Sequence, residues 1–557
     1  MKKIVIYIIM CLAAMPSMAQ DKDHNFKIAK NLDAFNALYR NLDMVYVDTL
    51  NAADVVGYGI QAMLRSLAPY TEYYPEESLK DLKMMITGKY AGIGSMIREN
   101  LQHRCCMVDQ PYRGMPADEL GLKKGDLILA IDDTSMVGKP VSFVSEHLRG
   151  DPGSSFKLKI RRLSTGKEMT FNVTRRAIQL PAVPYYGLLP DGVGYINLNS
   201  YTEGCAKDVR RAFVAMKQQG MKRLIFDVRE NGGGSVQEAL EIINMFVPRN
   251  TTILTMRGKT ARANKEYKTT VEPIDTVMPI VVLVNDGTAS ASEITAGTLQ
   301  DLDRAVVIGV RTYGKGLVQT TMELPYNGQL KLTTSKYYIP SGRCIQAINY
   351  KHKNGGYTEH VPDSLTKVFY TAGGREVRDG GGIKPDIEVK ADTLTNLAYY
   401  LMSARDSSEV MFNYEYDYIQ SHPTIAPASE FLITDADYDD LKARVMASNF
   451  KYDKQTEKYL EQLKSLAKFE GYYDDAKEEF DALEKKLIHN IERDMEINRD
   501  LIKDLVSREL CRAYYYDGGA IEHSLRRDTQ MKKAIEIITD DEAYGKVLAA
   551  PARKAVK

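Results

Sequence analysis

The sequence lacks an excess of charge of either sign, and it lacks long apolar runs after its first twenty residues. Its 74 basic residues are balanced by 74 acidic ones, so the formal net charge is zero. Proteins that bind nucleic acids usually carry a basic excess, and the balance argues against a nucleic-acid partner. No later apolar stretch approaches the ~20 residues that cross a bilayer. We therefore expect no membrane-spanning segment in the processed chain.

Cysteine is also scarce. Five cysteines follow the first twenty residues, namely Cys105, Cys106, Cys205, Cys344 and Cys511. An odd and scattered set of this kind does not indicate a disulfide framework, and without a CxxC pair it does not indicate a structural zinc site. Cys105 and Cys106 fall on an apparent strand, where adjacent side chains point to opposite faces. We expect neither a metal nor a cofactor.

The first twenty residues have the pattern of a secretory signal peptide. Two lysines precede an apolar run over residues 4–14, and the small residues Ser17 and Ala19 lie just before Gln20. The run is shorter than a membrane anchor requires. We predict a signal peptide over residues 1–19 and an exported protein that is soluble in the periplasm or cell envelope.

The chain of 557 residues is long enough for several domains. Residues 20–84 have helical apolar spacing, and residues 85–177 contain short β-prone runs between turns. Strands and helices alternate over residues 178–395, where the Gly-rich stretch 350–382 is typical of a loop or insertion. Residues 396–557 are helical and charged. The sequence predicts a multidomain α/β protein with a layered core, a small β-rich module and helical segments at both ends.

A strand, a turn of small residues and a helix follow one another over residues 281–299. The N-terminus of a helix offers free N–H donors and a partial positive charge. Ser290 or Ser292 at this point could serve as a nucleophile next to an oxyanion site. A serine that only caps the helix is the alternative interpretation.

A serine nucleophile needs a base, and the chain has no histidine between residues 148 and 351. This absence excludes a Ser-His-Asp triad made within that part of the chain alone. A lysine whose pKa is lowered by burial can take the role. Lys315 is the candidate, because it lies between two glycines directly after a predicted strand.

Two other sequence patterns are interpreted as chance matches to known motifs. Gly309, Gly314 and Lys315 nearly match a phosphate-binding loop, but Gly316 replaces the required Ser or Thr and a strand follows instead of a helix. We therefore expect no nucleotide. Ser-x-x-Lys occurs at Ser364 and again at Ser465, in both places without companion motifs.

Five motifs together resemble those of the carboxyl-terminal processing, or tail-specific, protease family, over about two-thirds of the chain. They occur in the family's order: DVRENGGG at 227–234, TASASEI at 288–294, GKGLVQ at 314–319, YIPSGR at 338–343 and GIKPD at 382–386. Departures at Val228, Gly232 and Thr288 remove no proposed catalytic group. The resemblance implies a crotonase-like α/β protease core.

The resemblance also implies the roles of individual residues. Ser290 is then the nucleophile, Lys315 the general base, and Gln319 the residue that orients the lysine. The backbone N–H groups of Gly233 and Ala291 are the implied oxyanion donors. Asp301 matches a family aspartate with a supporting role.

The β-rich segment resembles a PDZ domain inserted before the core. Gly92, Ile93 and Gly94 correspond to its carboxylate-binding loop, whose N–H groups bind a peptide C-terminus. The segment LKKGD at 122–126 is a second match. Neighbouring apolar residues such as Ile93 and Met96 favour protein substrates with apolar C-termini.

Two other functions compete with an active protease. A PDZ scaffold that has lost catalysis would regulate envelope proteolysis, but the retention of Ser290, Lys315 and Gln319 argues against it. A hydratase or isomerase with a related core is disfavoured by the PDZ segment and the signal peptide. We expect a homo-oligomer, a dimer. The C-terminal helices are a candidate dimerisation or scaffold domain, and a solvated helical bundle is the alternative interpretation. An adaptor or regulatory protein is a further candidate partner.

Overall fold

The structure is a computed structural model that describes residues 15–67, 70–347, 361–403, 408–453, 455–487 and 490–549. The predicted signal segment 1–19 lies for the most part outside the described residues, as does the first part of the loop at 350–382. The chain forms two compact units. The smaller contains the residues up to Glu76 together with Gln319–Thr333, and the larger contains most of the chain.

The smaller unit is built from two helices and short strands. Helix α1 spans Met15–Val45, α2 spans Ala52–Arg65 and strand β1 spans Glu72–Tyr74. Asn51 caps α2, since its side chain accepts a hydrogen bond from Ala53 N. Strand β1 pairs antiparallel with residues 329–331. None of the helices among the described residues has the length and apolar character needed to cross a membrane.

The larger unit begins with the β-rich module. Its elements are α3 (Leu79–Thr87), β2 (Lys89–Gly92), β3 (Ser95–Asn100), β4 (Cys105–Pro111), α4 (Pro116–Glu119), β5 (Asp126–Ile131), β6 (Thr134–Ser135), α5 (Val141–Leu148), β7 (Ser155–Arg162), β8 (Glu168–Thr174) and β9 (Arg176–Gln179). The main sheet has the order β3-β4-β5-β7-β8, and β2 pairs with β9. Alternate residues of β7 are buried, so Phe156, Leu158 and Ile160 point into the core of the module. Strand β3 stands first in the order β3-β4-β5-β7-β8, so it is an edge strand of this sheet.

The α/β core follows. Its elements are β10 (Tyr185–Leu189), β11 (Val193–Asn197), α6 (Cys205–Gln218), β12 (Arg223–Asp227), α7 (Val236–Asn244), β13 (Thr252–Gly258), β14 (Lys265–Lys268), β15 (Ile280–Val284), α8 (Ala291–Asp301), β16 (Val306–Gly309), β19 (Val368–Tyr370), β20 (Glu376–Arg378) and β21 (Ile387–Glu388). Strands β17 (Leu317–Glu323) and β18 (Gln329–Tyr338) come between β16 and β19 in the chain, and their residues 319–323 and 329–333 belong to the smaller unit. The central sheet has the order β10-β11-β12-β15-β16-β21 and is parallel from β11 onward. The carboxyl ends of its parallel strands meet at one edge, where ligands of such sheets usually bind.

Helices make up the rest of the larger unit. They are α9 (Asn396–Leu401), α10 (Val410–Ser421), α11 (Asp435–Ala447), α12 (Gln455–Glu470), α13 (Lys477–Leu487), α14 (Ile491–Ile497), α15 (Arg499–Ser524), α16 (Thr529–Thr539) and α17 (Asp541–Leu548). Several of them share a core of their own, which includes Tyr438, Leu441 and Val506. Helix α15 is kinked at Tyr516, whose φ is 62°.

The last two helices belong structurally to the α/β core. All five residues of β15 are buried, as expected for a strand covered on both faces. One face packs against α6, α7 and α8. The other face packs against Met531, Ile537 and Ile538 of α16 and against residues of α17. The charged C-terminal segment thus ends in a helix pair that closes the outer face of the sheet.

Helix α10 covers the second face of the β-rich module. Cys105 and Cys106 point to opposite faces of β4, as the sequence predicts, yet both are buried. Cys106 lies in the core of the module, whereas Cys105 packs in a separate cluster with Phe412 of α10. The five cysteines Cys105, Cys106, Cys205, Cys344 and Cys511 are free thiols.

Candidate active site

Ser290 lies at the turn between β15 and α8, at the carboxyl edge of the sheet. Its φ and ψ are 57° and −116°, a conformation that a residue with a side chain rarely adopts. Strain of this kind concentrates at functional sites, and a serine on a sharp strand-to-helix turn is a known arrangement for a nucleophile. The side chain is 9% exposed.

Ser292, the other candidate, has a structural role. It is fully buried, and its hydroxyl donates to the backbone carbonyl of Asn231 at 2.9 Å. A hydroxyl engaged in this way ties α8 to the loop after β12. The geometry therefore favours Ser290 over Ser292 as the reactive serine.

The carboxylate of Glu293 binds both segments that carry the predicted catalytic residues. Its Oε2 accepts hydrogen bonds from the backbone N–H groups of Ser290 and Lys315, each at 2.8 Å. Its Oε1 accepts from the Thr312 hydroxyl at 2.6 Å and from Gly314 N at 2.7 Å. Burial raises the pKa of Glu293 above its ordinary value, although the four donors oppose this rise. The structure thus brings the Ser290 and Lys315 backbones to one buried carboxylate.

The glycine before the lysine is required by close packing. Gly314 has a φ of 86°, and a Cβ there would lie 2.3 Å from Ala347 Cβ. Tyr337 supports the same loop from β18: its hydroxyl donates to Lys315 O and lies 3.2 Å from Ser290 O. Tyr337 is 1% exposed. Sequence reasoning assigned no role to Glu293 or Tyr337, although Glu293 lies within the serine motif.

The loop after β12 lies directly against Ser290. Gly233 has a φ of 96°, and a Cβ at this position would approach Ala289 O to 2.7 Å and Ser290 Cβ to 2.8 Å. The buried Asn231 shapes the loop, because its Oδ1 accepts from Gly233 N at 2.9 Å and its Nδ2 donates to Leu198 O at 2.7 Å. The structure therefore places Gly233 beside the serine, but with its N–H group engaged.

Ala291, the second predicted oxyanion donor, is the first residue of α8. The first N–H groups of a helix have no acceptor within the helix. Among the hydrogen bonds of the described residues, none uses Ala291 N. This N–H group is therefore available to a ligand next to Ser290.

A partly buried network joins the start of the same loop to the C-terminal helices. Arg229 pairs with Asp227 at 2.6 Å and with Asp528 at 2.7 Å, and it also donates to Gln530 at 2.9 Å. Burial opposes the charge of Arg229, but the two carboxylates outweigh this effect and hold its pKa above the ordinary value. Sequence reasoning missed this connection, since nothing in the C-terminal segment marks Asp528 or Gln530.

Asp301 lies at the far end of α8 from Ser290. Eleven helical residues separate the two ends, which corresponds to about 16 Å at 1.5 Å per residue. Its carboxylate pairs with Arg343 at 2.7 Å, and both side chains are almost completely buried. Ser341 N also donates to it at 3.0 Å. Asp301 therefore anchors the 338–343 motif and does not contact the serine.

Gln319 lies on β17 in the smaller unit. Its Nε2 donates to Thr333 Oγ1 at 3.4 Å within that unit.

The β-rich module has a groove at the predicted peptide-binding loop. Gly92, Ile93 and Gly94 line a cavity of about 230 Å³, together with residues of β3 and α5. One edge of β3 pairs with β4, and its other edge lies beside α5. A peptide can add to such an unpaired strand edge with its C-terminus at the glycine-rich loop.

Profiles of known protein families match three parts of the chain. The profile of Peptidase family S41 matches residues 192–353, and that of the PDZ domain matches residues 107–162. A third profile, described as a probable PDZ-protease C-terminal helical domain, matches residues 397–538.

Two curated relatives match more than half of the chain. A carboxy-terminal-processing protease of Bartonella bacilliformis is 32% identical over 57% of this chain and 73% of its own length. A probable CtpA-like serine protease of Staphylococcus haemolyticus is 30% identical over 55% of this chain and 61% of its own length. This chain thus spans less than two-thirds of the staphylococcal protein.

Among solved structures, a photosystem II D1 C-terminal processing protease is 24% identical, with a TM-score of 0.35. The alignment covers 63% of this chain and 86% of that one.

The class of protein is therefore that of the serine-type peptidases with a PDZ domain. More specifically, this chain belongs to peptidase family S41, together with the carboxy-terminal-processing proteases.

Proposed function

We propose that this protein is an exported endopeptidase that binds the C-terminus of a protein substrate in its PDZ groove and hydrolyses a peptide bond with Ser290 and Lys315. The observation that supports this dyad most directly is Glu293, whose Oε2 accepts hydrogen bonds from the backbone N–H groups of both residues. A buried carboxylate with four donors fixes the two backbones relative to each other. Positioning of this kind is a large part of catalysis.

In the proposed reaction, the neutral amine of Lys315 takes the proton of the Ser290 hydroxyl while Oγ attacks the carbonyl carbon. The lysine then gives this proton to the leaving amine, and an acyl-enzyme ester remains. Water attacks the ester with Lys315 again as the base, and the proton returns to Ser290 as the acid product leaves. Gln319 is proposed to orient the lysine.

The developing oxyanion needs donors next to Ser290. Ala291 N is available for this purpose, because it begins α8 and the hydrogen bonds of the described residues leave it unused. Gly233 N can contribute only if it exchanges its bond to Asn231 Oδ1 for one to the oxyanion. We propose that this exchange occurs as the oxyanion forms, which would confine the contribution of Gly233 N to the transition state.

Recognition is proposed to occur by strand addition to β3. The backbone of Gly92, Ile93 and Gly94 would bind the terminal carboxylate, and Met96, which is 41% exposed, would contact an apolar side chain. Substrates that end in Ala, Val or Leu should then bind better than those that end in Asp or in an amide.

Other features of the proposal depend on the sequence. Residues 1–19 would be removed on export, so the mature chain would begin at Gln20 and be soluble in the periplasm or cell envelope. We further propose a crotonase-like core, an N-terminal helical domain and a dimer. N-terminal sequencing of the secreted chain tests whether the mature protein begins at Gln20.

The decisive experiment follows the turnover of one unfolded reporter protein that carries different C-termini. Ser290→Ala should abolish cleavage and leave the fold intact, whereas Ser292→Ala, the matched control, should keep part of the activity. An inactive wild type that still binds the tails would favour the alternative, a PDZ scaffold. Equal cleavage of amidated, acidic and apolar tails would contradict tail recognition.

A further inference from the structure

Helix α10 contributes to two separate layers of the larger unit. Its Met411 and Tyr414 lie in the core that the C-terminal helices share. Phe412 and Tyr416 instead pack with residues of β4 and β5, on the second face of the β-rich module. Residues three and four apart lie on the same side of a helix, so positions 409, 412 and 416 form one face of α10. This face joins the module to the C-terminal helices.

The first residue of this face, Glu409, contacts the strand to which the substrate is proposed to add. Its carboxylate accepts a hydrogen bond from Arg98 Nη2 of β3, with which it forms a salt bridge. It also accepts from the backbone N–H of Leu101, the residue after the strand, at 3.1 Å. Glu409 is 4% exposed. One buried carboxylate therefore holds the second half of β3 through a side chain and through the backbone.

Two further features show how closely this contact is built. Glu409 has φ and ψ of 52° and 23°, in the left-handed region that residues with a side chain rarely adopt. Such conformations persist where the surrounding structure holds them. The guanidinium of Arg98 also lies over the ring of Phe412, 4.7 Å from its centre. Arg98 is thus held from two positions on the same face of α10.

Helix α10 is attached to the module at a second point that does not involve β3. Glu415 pairs with Lys124 at 3.2 Å, and Lys124 also pairs with Asp109 of β4 at 2.9 Å. Lys124 lies in the turn before β5. Glu415 is 9% exposed, so its burial is similar to that of Glu409. The two carboxylates therefore differ mainly in which part of the module they hold.

The position of Glu409 matters because of the direction in which a peptide would lie. A peptide that adds antiparallel to β3, with its carboxylate at residues 92–94, places one residue beside each residue of the strand. Strand β3 spans Ser95–Asn100. The last three residues of the peptide then lie beside residues 95–97, and the three before them lie beside residues 98–100. Glu409 holds the part of β3 that binds these earlier residues.

We propose that Glu409 is a positioning residue for tail recognition, which keeps the second half of β3 in the conformation that accepts the substrate strand. This inference rests on the proposed function. An edge strand has a neighbouring strand on one side only, and a strand that is ordered before binding loses less conformational entropy when the peptide adds. The C-terminal helices are thereby part of the recognition apparatus, although Glu409 itself contacts β3 and not the substrate.

The test measures binding, so that it does not depend on catalysis. Full-length Ser290→Ala protein is titrated by calorimetry with two peptides that share an apolar C-terminus, one of three residues and one of six. The six-residue peptide should bind more tightly. Glu409→Gln should weaken it by about tenfold, because ordering even one strand residue on binding costs free energy of this size. The affinity of the three-residue peptide should not change.

Kinetics give a second readout that a general loss of structure would not produce. In the enzyme with Ser290 intact, Glu409→Gln should raise KM for a reporter that carries the six-residue tail and leave kcat unchanged. Glu415→Gln is the matched control, because it removes a similarly buried carboxylate from the same helix while Lys124 keeps Asp109 as a partner. It should change neither the affinities nor KM.

Circular dichroism shows whether each variant is folded. If Glu409→Gln unfolds, the double variant Arg98→Met with Glu409→Gln takes its place, since it leaves no buried charge without a partner at this point. The double variant should show the same selective loss of affinity for the six-residue peptide.

Four results would overturn the inference: equal affinity for both peptides in the parent protein, an unchanged six-residue affinity in the folded variant, an equal loss for both peptides, or the same loss in Glu415→Gln. Failure of the proposed function has a different signature. If the six-residue peptide does not bind the parent protein, or binds equally well with a C-terminal amide, groove recognition itself is wrong.

Discussion

Glu293 Oε2 accepts a 2.8 Å hydrogen bond from the backbone N–H of Lys315, 22 residues further along the chain. The same oxygen accepts from Ser290 N. A single buried atom therefore joins the strained turn of the proposed nucleophile to the loop of the proposed base, and this relationship leads to the first prediction.

Glu293→Gln should lower kcat by about 10- to 100-fold and leave KM nearly unchanged, because it disturbs the mutual position of two catalytic groups and not the peptide groove. The amide has one acceptor oxygen, and its NH₂ group would face two of the four N–H and O–H donors. Steady-state kinetics with a tail-bearing reporter measures the effect. Glu241→Gln, an exposed position on α7, is the matched control, and equal kinetics in the two variants would contradict the positioning role.

The pH dependence of stability distinguishes this carboxylate from an ordinary one. Since burial raises the folded-state pKa of Glu293, the folded protein holds the proton to a higher pH than the unfolded chain does. This proton binding contributes stability at pH values below the pKa that Glu293 has in the unfolded chain. The contribution is lost as the pH rises through the higher pKa that Glu293 has in the folded protein. Relative to Glu293→Gln, the wild type should therefore lose stability with rising pH over this window. A constant difference between the two would contradict the shift.

Lys315→Arg should be almost inactive, because guanidinium remains protonated and cannot accept the serine proton. The proposed mechanism uses only the neutral amine, so wild-type activity should rise with pH along an ascending limb. Initial rates over a range of pH test both statements. Lys207→Arg, at an exposed position of α6, should keep wild-type rates; substantial activity in Lys315→Arg would exclude the lysine as the base.

Asp301→Asn should destabilise the fold by about 3–5 kcal/mol, because it leaves the buried Arg343 without its counter-charge. The chain has no tryptophan, so urea unfolding is best followed by circular dichroism. Glu168→Gln, the control, removes an exposed carboxylate that pairs with Lys159 and Arg161 and should change the free energy of unfolding far less, because solvent screens exposed ion pairs. A stable but inactive Asp301→Asn protein would instead indicate a direct role in the chemistry.

Local patterns in the sequence predicted much of the fold and of the site. The apolar runs indicated β12, β15 and β16, and small residues before a helical pattern placed Ser290 at the start of α8. Other contacts depend on residues far apart in the chain. The carboxylate of Glu293 has no signal in sequence that distinguishes it from an ordinary helix-capping glutamate, and its role emerges only when the 312–315 loop folds over it.

Long-range packing explains the other differences as well. Periodicity predicted that Cys105 and Cys106 point apart, but it could not predict that Phe412 covers the second face. Helical spacing in residues 396–557 predicted a helical C-terminal domain, and the profile match over residues 397–538 supports it. The spacing did not predict that the apolar side of α16 covers the outer face of the core sheet, because a pattern within one helix does not identify the surface that it contacts.

This last contact leads to a prediction about the C-terminus. Val193, Val281 and Val306 lie on the sheet face that α16 and α17 cover, and all three are fully buried. A chain that ends at residue 527 would expose this face to water, at a cost of about 25 cal/mol for each Å² of apolar surface, and it would leave Arg229 without Asp528 and Gln530. We expect it to be insoluble or unfolded, as judged by gel filtration and circular dichroism. Asp528→Asn separates the two effects: it retains the apolar cover, asparagine can still cap α16 by accepting from Met531 N, and the pairing of Arg229 is weakened. We expect that variant to fold with a loss of about 1–3 kcal/mol and with reduced kcat, because Arg229 begins the loop that places Gly233 beside Ser290. A soluble, fully active truncated protein would show that the helix pair is dispensable to the core.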